Sequence, residues 1–563
     1  MRLELDEVRR LTGPNLLWDK PGAILDVFID DIDSHLVINT WQSWVDKLLP
    51  QINWQQTYTF RLYTGGASMA LSAPMDALYT ACDLAELAWE LTVSQLCQQP
   101  EIDLPSRVKQ LQITLNQEQN SELLNLMAQA HAHNVTAISD DDEFSLGTGP
   151  TVDVWPIAEL PQSATLDWQQ YKDIPRAFIT GTNGKSTSVR LASEIAKAAG
   201  ICAGVTSTDF IKVGDEIIDK GDYSGPGGAR MLLRDKRTEM AFLEVARGGI
   251  LRRGIPIDNV DAALITNVAS DHLGQYGINT VEELAEVKFV VAKGLDNSGT
   301  LVLNADNKLV VEQAKQVSCR ICWFSEDAKH PLILQSQQAG LPCVFVDNEQ
   351  FVYMQADGTP VPIAEVKSIP MTMQGAAQHN IQNALGVIGL SMALHIPLQA
   401  IKQGLMRFGS SAKDNPGRGN LYTYNGSTVM VDFAHNAHSV KAMINTAKHI
   451  PAKRYIVMFS NAGDRADADI KELSDEIYKL QADRYIVAEL ERYLRGRQPK
   501  ELLDLVAKHL QQKGVDESII DCVDSPLAGA KLALQISSPG DVVVLFCLDQ
   551  REQIDQLLQK NTS

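Results

Sequence analysis

The feature that most constrains this chain is Gly181-Thr-Asn-Gly-Lys-Ser-Thr187, set between an extended apolar run at 174–180 (IPRAFIT) and a stretch at 186–199 with helical spacing. A glycine turn joining a buried strand to a helix aligns successive backbone N–H groups at the helix N-terminus, where they form a nest for an anion. Lys185 can then reach the outer phosphates of a nucleotide, and the hydroxyl of Ser186 or Thr187 can ligate Mg²⁺. The common form of this loop has its first glycine at the position of Ile179, so this is a shortened variant. Nucleotide binding through Gly181, Thr182, Asn183, Gly184, Lys185, Ser186 and Thr187 is the expectation; a chance glycine turn beside a surface lysine is the alternative.

Such a turn belongs to an α/β fold, and the downstream pattern agrees. Strand-like runs at 240–245 (MAFLEV), 262–266 (AALIT) and 300–303 (TLVL) alternate with helical stretches, the longest at 281–293. A doubly wound parallel sheet is predicted over 161–408. A second set of strands at 428–433, 454–459, 484–487 and 541–546 predicts a separate Rossmann-like α/β unit over 409–563. Residues 1–160 read as an α+β domain, with alternation at 22–29 and 58–64 and helical spacing at 77–96 and 121–132. The stretch 139–167 is rich in glycine and proline, and its acidic run 140–143 reads as a solvated linker.

With 563 residues, about three to four domains are expected. The net charge of −20 argues against nucleic acid or a broad grip on anionic membrane, so an anionic ligand needs a local device. Most of the acidity is local: residues 1–150 hold 8 Lys+Arg against 21 Asp+Glu. The start lacks an apolar signal-like region, and eight cysteines without framework spacing fit a reducing cytoplasm. Cys319 and Cys322 read as core rather than zinc ligands, having no second pair. His131 and His133, two apart on a helix, face different sides.

Three further elements exceed what a phosphate loop requires. Glu244 ends a predicted strand, where a carboxylate can hold Mg²⁺. Asp271 and His272 follow the next strand end, close enough to the loop to favour a site role for His272 over a structural one. Lys288 lies on a helix, where an exposed lysine is the plain reading. Arg492, Arg495 and Arg497 form a small basic cluster that suits either a carboxylate or a solvated helix entrance.

The order of these elements, continued by Asn304-Ala-Asp306, His379-Asn-Ile-Gln-Asn383, Pro416-Gly-Arg418 and Val431-Asp-Phe-Ala-His-Asn436, resembles the Mur ligase superfamily over about residues 165–563. Within it, the stretches 244–253 (EVARGGILRR), 270–274 (SDHLG), 417–421 (GRGNL), Gly463-Asp-Arg465 and Leu494-Arg-Gly-Arg497 look most like the ligase half of the cyanophycin synthetases. The front stretch 11–18 (LTGPNLLW) is similar to the opening of their N-terminal domain. Their intervening ATP-grasp module has no counterpart before the phosphate loop, which implies one ligation per cycle. Asn420, where many Mur ligases carry Glu, agrees with that subgroup. The front domain does not resemble the UDP-binding domain of the peptidoglycan enzymes, so a UDP-sugar substrate is unsupported.

The resemblance implies an ATP-dependent carboxylate–amine ligase that works through an acyl phosphate. It assigns Lys185 and the loop amides to the β- and γ-phosphates, Ser186 and Glu244 to one Mg²⁺, and His272 with Lys288 to a second, Lys288 as a carbamate. Asn380 and Asn383 would approach adenine; Arg418 and Asp432 would reach phosphates and ribose. His435 and Asn436 are equally read as substrate contacts or a loop-stabilising pair. An amino acid, arginine first, joined to a small carboxylate or peptide acceptor is expected, in a cytoplasmic homo-oligomer. The competing reading is a nucleotide-binding accessory subunit of a separate ATP-grasp enzyme. A P-loop ATPase or kinase would leave the C-terminal unit unexplained.

Overall fold

The strand Arg176–Thr180, buried at every residue, sits inside an eleven-stranded sheet between Met240–Glu244 and Val260–Ile265 in parallel register. Residues 2–559 of the chain are described by this computed structural model. Side chains alternate across the sheet. Ala177, Ile179, Phe242 and Leu264 pack in one apolar layer with the helices Lys185–Ala198 and Gln378–Ala393. Phe178, Leu243, Ala263 and Ile265 pack in the opposite layer with Pro226–Leu233 and Val281–Phe289. Burial on both faces is why these strands read as continuous apolar runs. The parallel core extends through Ala203–Thr206 on one side and through Leu295–Asn304, Arg320–Ser325 and Cys343–Asp347 on the other. Antiparallel pairs close each edge, Phe210–Val213 with Glu216–Lys220, and Gln350–Met354 with Pro360–Glu365. The α/β expectation holds, with these hairpin edges added.

A second, six-stranded sheet contains Arg418–Tyr424, Ser427–Asp432, Val542–Phe546, Tyr455–Ser460, Arg484–Ala488 and Ile520–Val523, parallel except for its first pair. At the front, the antiparallel sheet Arg2–Leu11, Gly22–Asp30, Gly66–Ser72 and Tyr58–Tyr63 is covered by Ser34–Leu48 and Leu78–Cys97, with Trp41 and Trp89 in the core. Cys322 lies in the core, as expected. His131 is exposed while His133 stacks on Trp168. Among the described residues no helix is long and apolar enough to cross a membrane.

Two features differ from the sequence expectations. The first strand, RLELDEVRRL, is dominated by charge, yet it pairs along its length, with a register shift between Leu5 and Glu7. The segment 139–167 is not a free linker. Ala137–Ser139, Glu143–Leu146 and Asp153–Pro156 form a small antiparallel sheet. Its acidic run is held by arginines: Arg234 donates to Asp140 at 2.7 Å and to Glu143 at 2.9 Å, and Arg10 pairs with Asp141. The cations that neutralise the run come from distant parts of the chain, so local composition could not reveal them.

The front sheet is pinned to the central sheet by Arg9. Its guanidinium meets Asp26 at 2.5 Å with both side chains almost wholly buried, lies over the Tyr276 ring and donates to the Leu251 carbonyl. Arg9→Met leaves the Asp26 carboxylate buried without its cation, and a loss of about 3–5 kcal/mol is expected in denaturant unfolding of the front unit. The double variant Arg9→Met/Asp26→Leu is expected to recover most of it.

Candidate active site

The strands Arg176–Thr180, Met240–Glu244 and Val260–Ile265 all end on one edge of the large sheet, and each delivers functional groups there. After the first, Gly181 and Gly184 turn the chain at φ +145° and +89°. A Cβ would lie 1.9 Å from Thr266 Oγ1 at the first position and 2.2 Å from Asn383 Oδ1 at the second, so both turns need glycine. The loop leads into the helix Lys185–Ala198. Lys185 Nζ donates to the carbonyls of Gly181 and Thr182, both at 3.1 Å, across the turn. Thr266 Oγ1 and Asn267 Nδ2 donate to the Asn183 carbonyl at 2.6 and 3.0 Å and brace the loop from the neighbouring strand.

Glu244 closes the second strand. It is 1% exposed, and both carboxylate oxygens are buried without a hydrogen-bond partner among the described residues. Burial pushes its pKa up, against the pull of Lys185, Arg418, the Ser186 hydroxyl and Arg190. A carboxylate with two unsatisfied oxygens, facing a phosphate loop and next to the Ser186 hydroxyl, is the oxygen donor set a hard divalent cation takes. These residues fit Mg²⁺.

The third strand leads to Asp271 and His272. With His435 from the smaller sheet, they bring one oxygen and two nitrogens within 4.8 Å of one another. Burial lowers the pKa of His272, and that of His435 to about 4, which keeps both imidazoles neutral at pH 7 and available as ligands. Burial alone would raise Asp271, but the cations Arg465, which donates to it at 3.1 Å, and Lys185 pull it down. The loop takes left-handed backbone at His272 (φ +50°) and is held by Arg247, which donates to the His272 carbonyl at 2.8 Å and to Gln275 Oε1 at 2.6 Å.

Lys288 overturns the plain reading of an exposed helical lysine. It is 3% exposed on the helix Val281–Phe289, whose N-terminus is fixed by a capping box of Thr280 and Glu283. Among the described residues its Nζ makes no hydrogen bond or ion pair. Burial, reinforced by the charges of Lys185 and Arg247, lowers its pKa well below the ordinary lysine value.

The smaller sheet supplies the opposite wall. Arg418 lies over the Phe433 ring and its Nη2 is 3.4 Å from Ser186 Oγ. Asp432 is pushed up to about 6 by burial, opposed by Arg418. Asn436 caps the helix Ala437–Lys448 and exchanges side-chain hydrogen bonds with Asn183 at 3.1 and 3.3 Å. Asn380 donates to the Met371 carbonyl and Asn383 packs against Gly184. Every residue singled out from the sequence for catalysis, nucleotide or metal lines one cavity of about 920 Å³.

The basic cluster does not converge on that cavity. Arg497 pairs with Asp467 and Glu501, Arg492 is exposed, and only Arg495, paired with Asp464, lines it. Asp271, Arg247 and Arg465 carry no role legible from the sequence alone, and His435 stays open there. Their signal was present, since Asp271 adjoins His272 and Arg465 stands in Gly463-Asp-Arg465, but pairing across nearly 200 residues is a property of the fold.

Residues 179–391 match the Mur ligase middle domain and 417–547 match the Mur ligase glutamate ligase domain. The chain is 37% identical over 372 residues to a cyanophycin synthetase of Synechocystis sp., covering 66% of this chain and 42% of that one. It is 33% identical over 416 residues to that of Nostoc sp., covering 72% and 45%. It therefore spans less than half the length of these relatives. Among solved structures, E. coli FolC in complex with DHPP and ADP superimposes with a TM-score of 0.51 at 17% identity, over 69% of this chain and 89% of that one. A bifunctional folylpolyglutamate synthase/dihydrofolate synthase with Mn, AMPPNP and L-glutamate bound gives 0.50 at 17%, over 68% and 89%. At that identity the likeness concerns the fold.

Proposed function

The chain belongs to the Mur ligase family, and on that premise we propose that it is an ATP-dependent carboxylate–amine ligase. A carboxylate is a poor acyl donor because oxide would have to leave. In the proposed reaction an acceptor carboxylate oxygen attacks the γ-phosphorus of ATP, the bond to the β-bridging oxygen breaks, and ADP departs. The amine then attacks the acyl carbon, the C–O bond to phosphate breaks, and the ammonium proton is lost. The first step calls for positioning and charge neutralisation more than for covalent help from the protein.

The chain's residues divide this work. The loop amides and Lys185 hold the outer phosphates, and Arg418 adds positive charge from the opposite wall. Ser186 and Glu244 would hold one Mg²⁺, and Asp271, His272 and His435 a second divalent cation. Such ions neutralise phosphoryl charge as it develops. Burial shifts Lys288 towards the neutral amine, the form that adds to CO₂ with loss of a proton; the resulting carbamate would place an anionic oxygen among these groups. Asn380 and Asn383 border the nucleotide end, with Asp432 near the ribose. The smaller sheet screens the reacting atoms from water.

The observation that carries this reading is a buried carboxyl group whose two oxygens have no hydrogen-bond partner among the described residues, together with a buried lysine shifted towards its neutral form, in the same cavity as the phosphate loop. A subunit that only bound nucleotide would have no use for both. The direct test is a panel of amino acids, arginine first, with small acidic acceptors, scored by ADP and phosphate release and by product mass. At least one pair is expected to stimulate release several-fold and to yield an adduct one water lighter than its parts. No stimulation by any pair, with ATP binding intact, overturns the reading. A separate ATP-grasp enzyme is the proposed partner, and co-purification of the two tests it.

A further inference from the structure

The loop that runs from His272 towards the helix of Lys288 is built against its own backbone preferences. His272, Gly274, Tyr276 and Gly277 all take positive φ, at +50°, +87°, +55° and +66°. Between Gln275 and Ile278 the chain reverses in a tight turn with left-handed residues at both central positions. It is closed by the Gly274 amide on the Ile278 carbonyl at 2.7 Å and the Ile278 amide on the Gln275 carbonyl at 3.1 Å. A bulky residue such as Tyr276 is costly in that conformation and persists there only where its surroundings over-determine it. Gln275 in the turn, and Leu284 and Lys288 on the helix that follows, all line the catalytic cavity.

Much of that surrounding comes from the front unit. Arg9 lies over the Tyr276 ring at 4.9 Å. The Tyr63 ring lies against Gly277, where a Cβ would come within 2.2 Å of it, so this close approach needs glycine. Arg61 makes the widest span. Its Nη1 donates to the Gly277 carbonyl at 3.0 Å and its Nη2 to Glu283 Oε1 at 2.7 Å. The other oxygen of Glu283 accepts the Asn279 and Thr280 amides at 2.7 and 3.0 Å, so the group that Arg61 grips is the one that caps the helix Val281–Phe289. One guanidinium thus ties the turn after His272 to the start of the helix that holds Lys288. Within the large-sheet unit, Arg247 holds the same loop nearer its beginning, at the His272 carbonyl and Gln275.

We infer that Arg61 is a positioning residue for the reaction: through it the front unit sets His272 and Lys288 in place by holding the turn and the helix start that lie between them. The inference rests on the ligase reading and gives the front unit a part in the rate of the chemistry. Arg61 stands outside the catalytic cavity and acts through these elements. The Arg61–Glu283 pair is partly exposed, so removing Arg61 does not strand a fully buried charge.

The test is Arg61→Met in the full chain. Displacing reacting groups by about 1 Å costs up to about a hundredfold in rate, so turnover is expected to fall by roughly ten- to a hundredfold. The KM for ATP is expected to stay unchanged, because the phosphate loop is untouched. Amide hydrogen exchange, measured without nucleotide or metal, is expected to quicken over 272–289 and to stay as in wild type over the helix Lys185–Ala198. Arg61→Lys, which keeps a cation for Glu283, is expected to recover part of both losses. Gly277→Ala, which drives a methyl group into the Tyr63 ring and leaves Arg61 intact, is expected to reproduce the pattern of Arg61→Met. Turnover equal to wild type in Arg61→Met and Gly277→Ala, or a fall in turnover with exchange over 272–289 unchanged, overturns the positioning role and spares the ligase reading. Wild type that turns over no amine and acceptor overturns the ligase reading; quicker exchange in Arg61→Met then still supports the hold of the front unit on this loop, and unchanged exchange overturns it.

Discussion

Glu244→Gln is expected to slow ATP-dependent phosphate release by about 10²–10³-fold while raising the thermal stability of the ligand-free chain. The two effects share one cause. Glu244 is buried with two unsatisfied oxygens, so in the absence of a cation it is a cost to the fold. For the reaction, it is the strand-end carboxylate beside the phosphate loop, and removing one such electrostatic element costs about 10²–10³ in turnover. Its pKa is raised in the fold, so folding favours the protonated acid. The penalty is absent below the unfolded value, grows as pH rises towards the folded value, and is fully present above it. The stabilisation by Glu244→Gln is therefore expected at pH 8 and to vanish at acid pH, and melting curves at the two pH values check it. A melting point that falls at pH 8, or turnover within tenfold of wild type at saturating Mg²⁺, contradicts the assignment.

Lys288→Ala is expected to lower turnover by about 10²–10³ and to abolish any dependence on dissolved CO₂. An exposed lysine at neutral pH is almost wholly an ammonium and does not add to CO₂. Lys288 is 3% exposed and its pKa is driven well below the ordinary value, so the reactive amine is available. The wild-type protein in ¹³C-bicarbonate is expected to give a carbamate carbon resonance that the variant lacks, and degassed wild type is expected to lose activity that bicarbonate restores. Full activity in CO₂-free buffer, with no such resonance, would falsify the carbamate while leaving the lysine free to act as an amine. Turnover of Lys288→Ala equal to wild type removes Lys288 from the machinery altogether.

Much of the large sheet was legible because its strands are short apolar runs separated by helical periodicity, and because a glycine turn with Lys185 ties one strand to one helix. The site's residues were legible one at a time, as chemical types at strand ends. Their environments were not. Lys288 reads as a surface lysine in Glu286-Val-Lys288, and its burial comes from the sheet and loops packed around the helix. The run at 140–143 reads as solvated because Arg10 and Arg234, which neutralise it, lie about 130 residues before it and 90 after. The first strand was missed for a related reason. Charge hides its alternation, and pairing with Gly22–Asp30 compensates.

Asn183 lies in the phosphate loop, yet its side chain is held by Asn436 and His438, at the start of the helix Ala437–Lys448 that packs on the smaller sheet. Gripping a nucleotide and seating that sheet are then one linked equilibrium, and linkage runs both ways. Whatever factor docking contributes to nucleotide affinity, the nucleotide returns as the same factor in docking. A substitution that loosens the seat, though it touches no phosphate, is paid back as weaker nucleotide binding, so affinity measured at the loop serves as a gauge of how firmly the far sheet is closed.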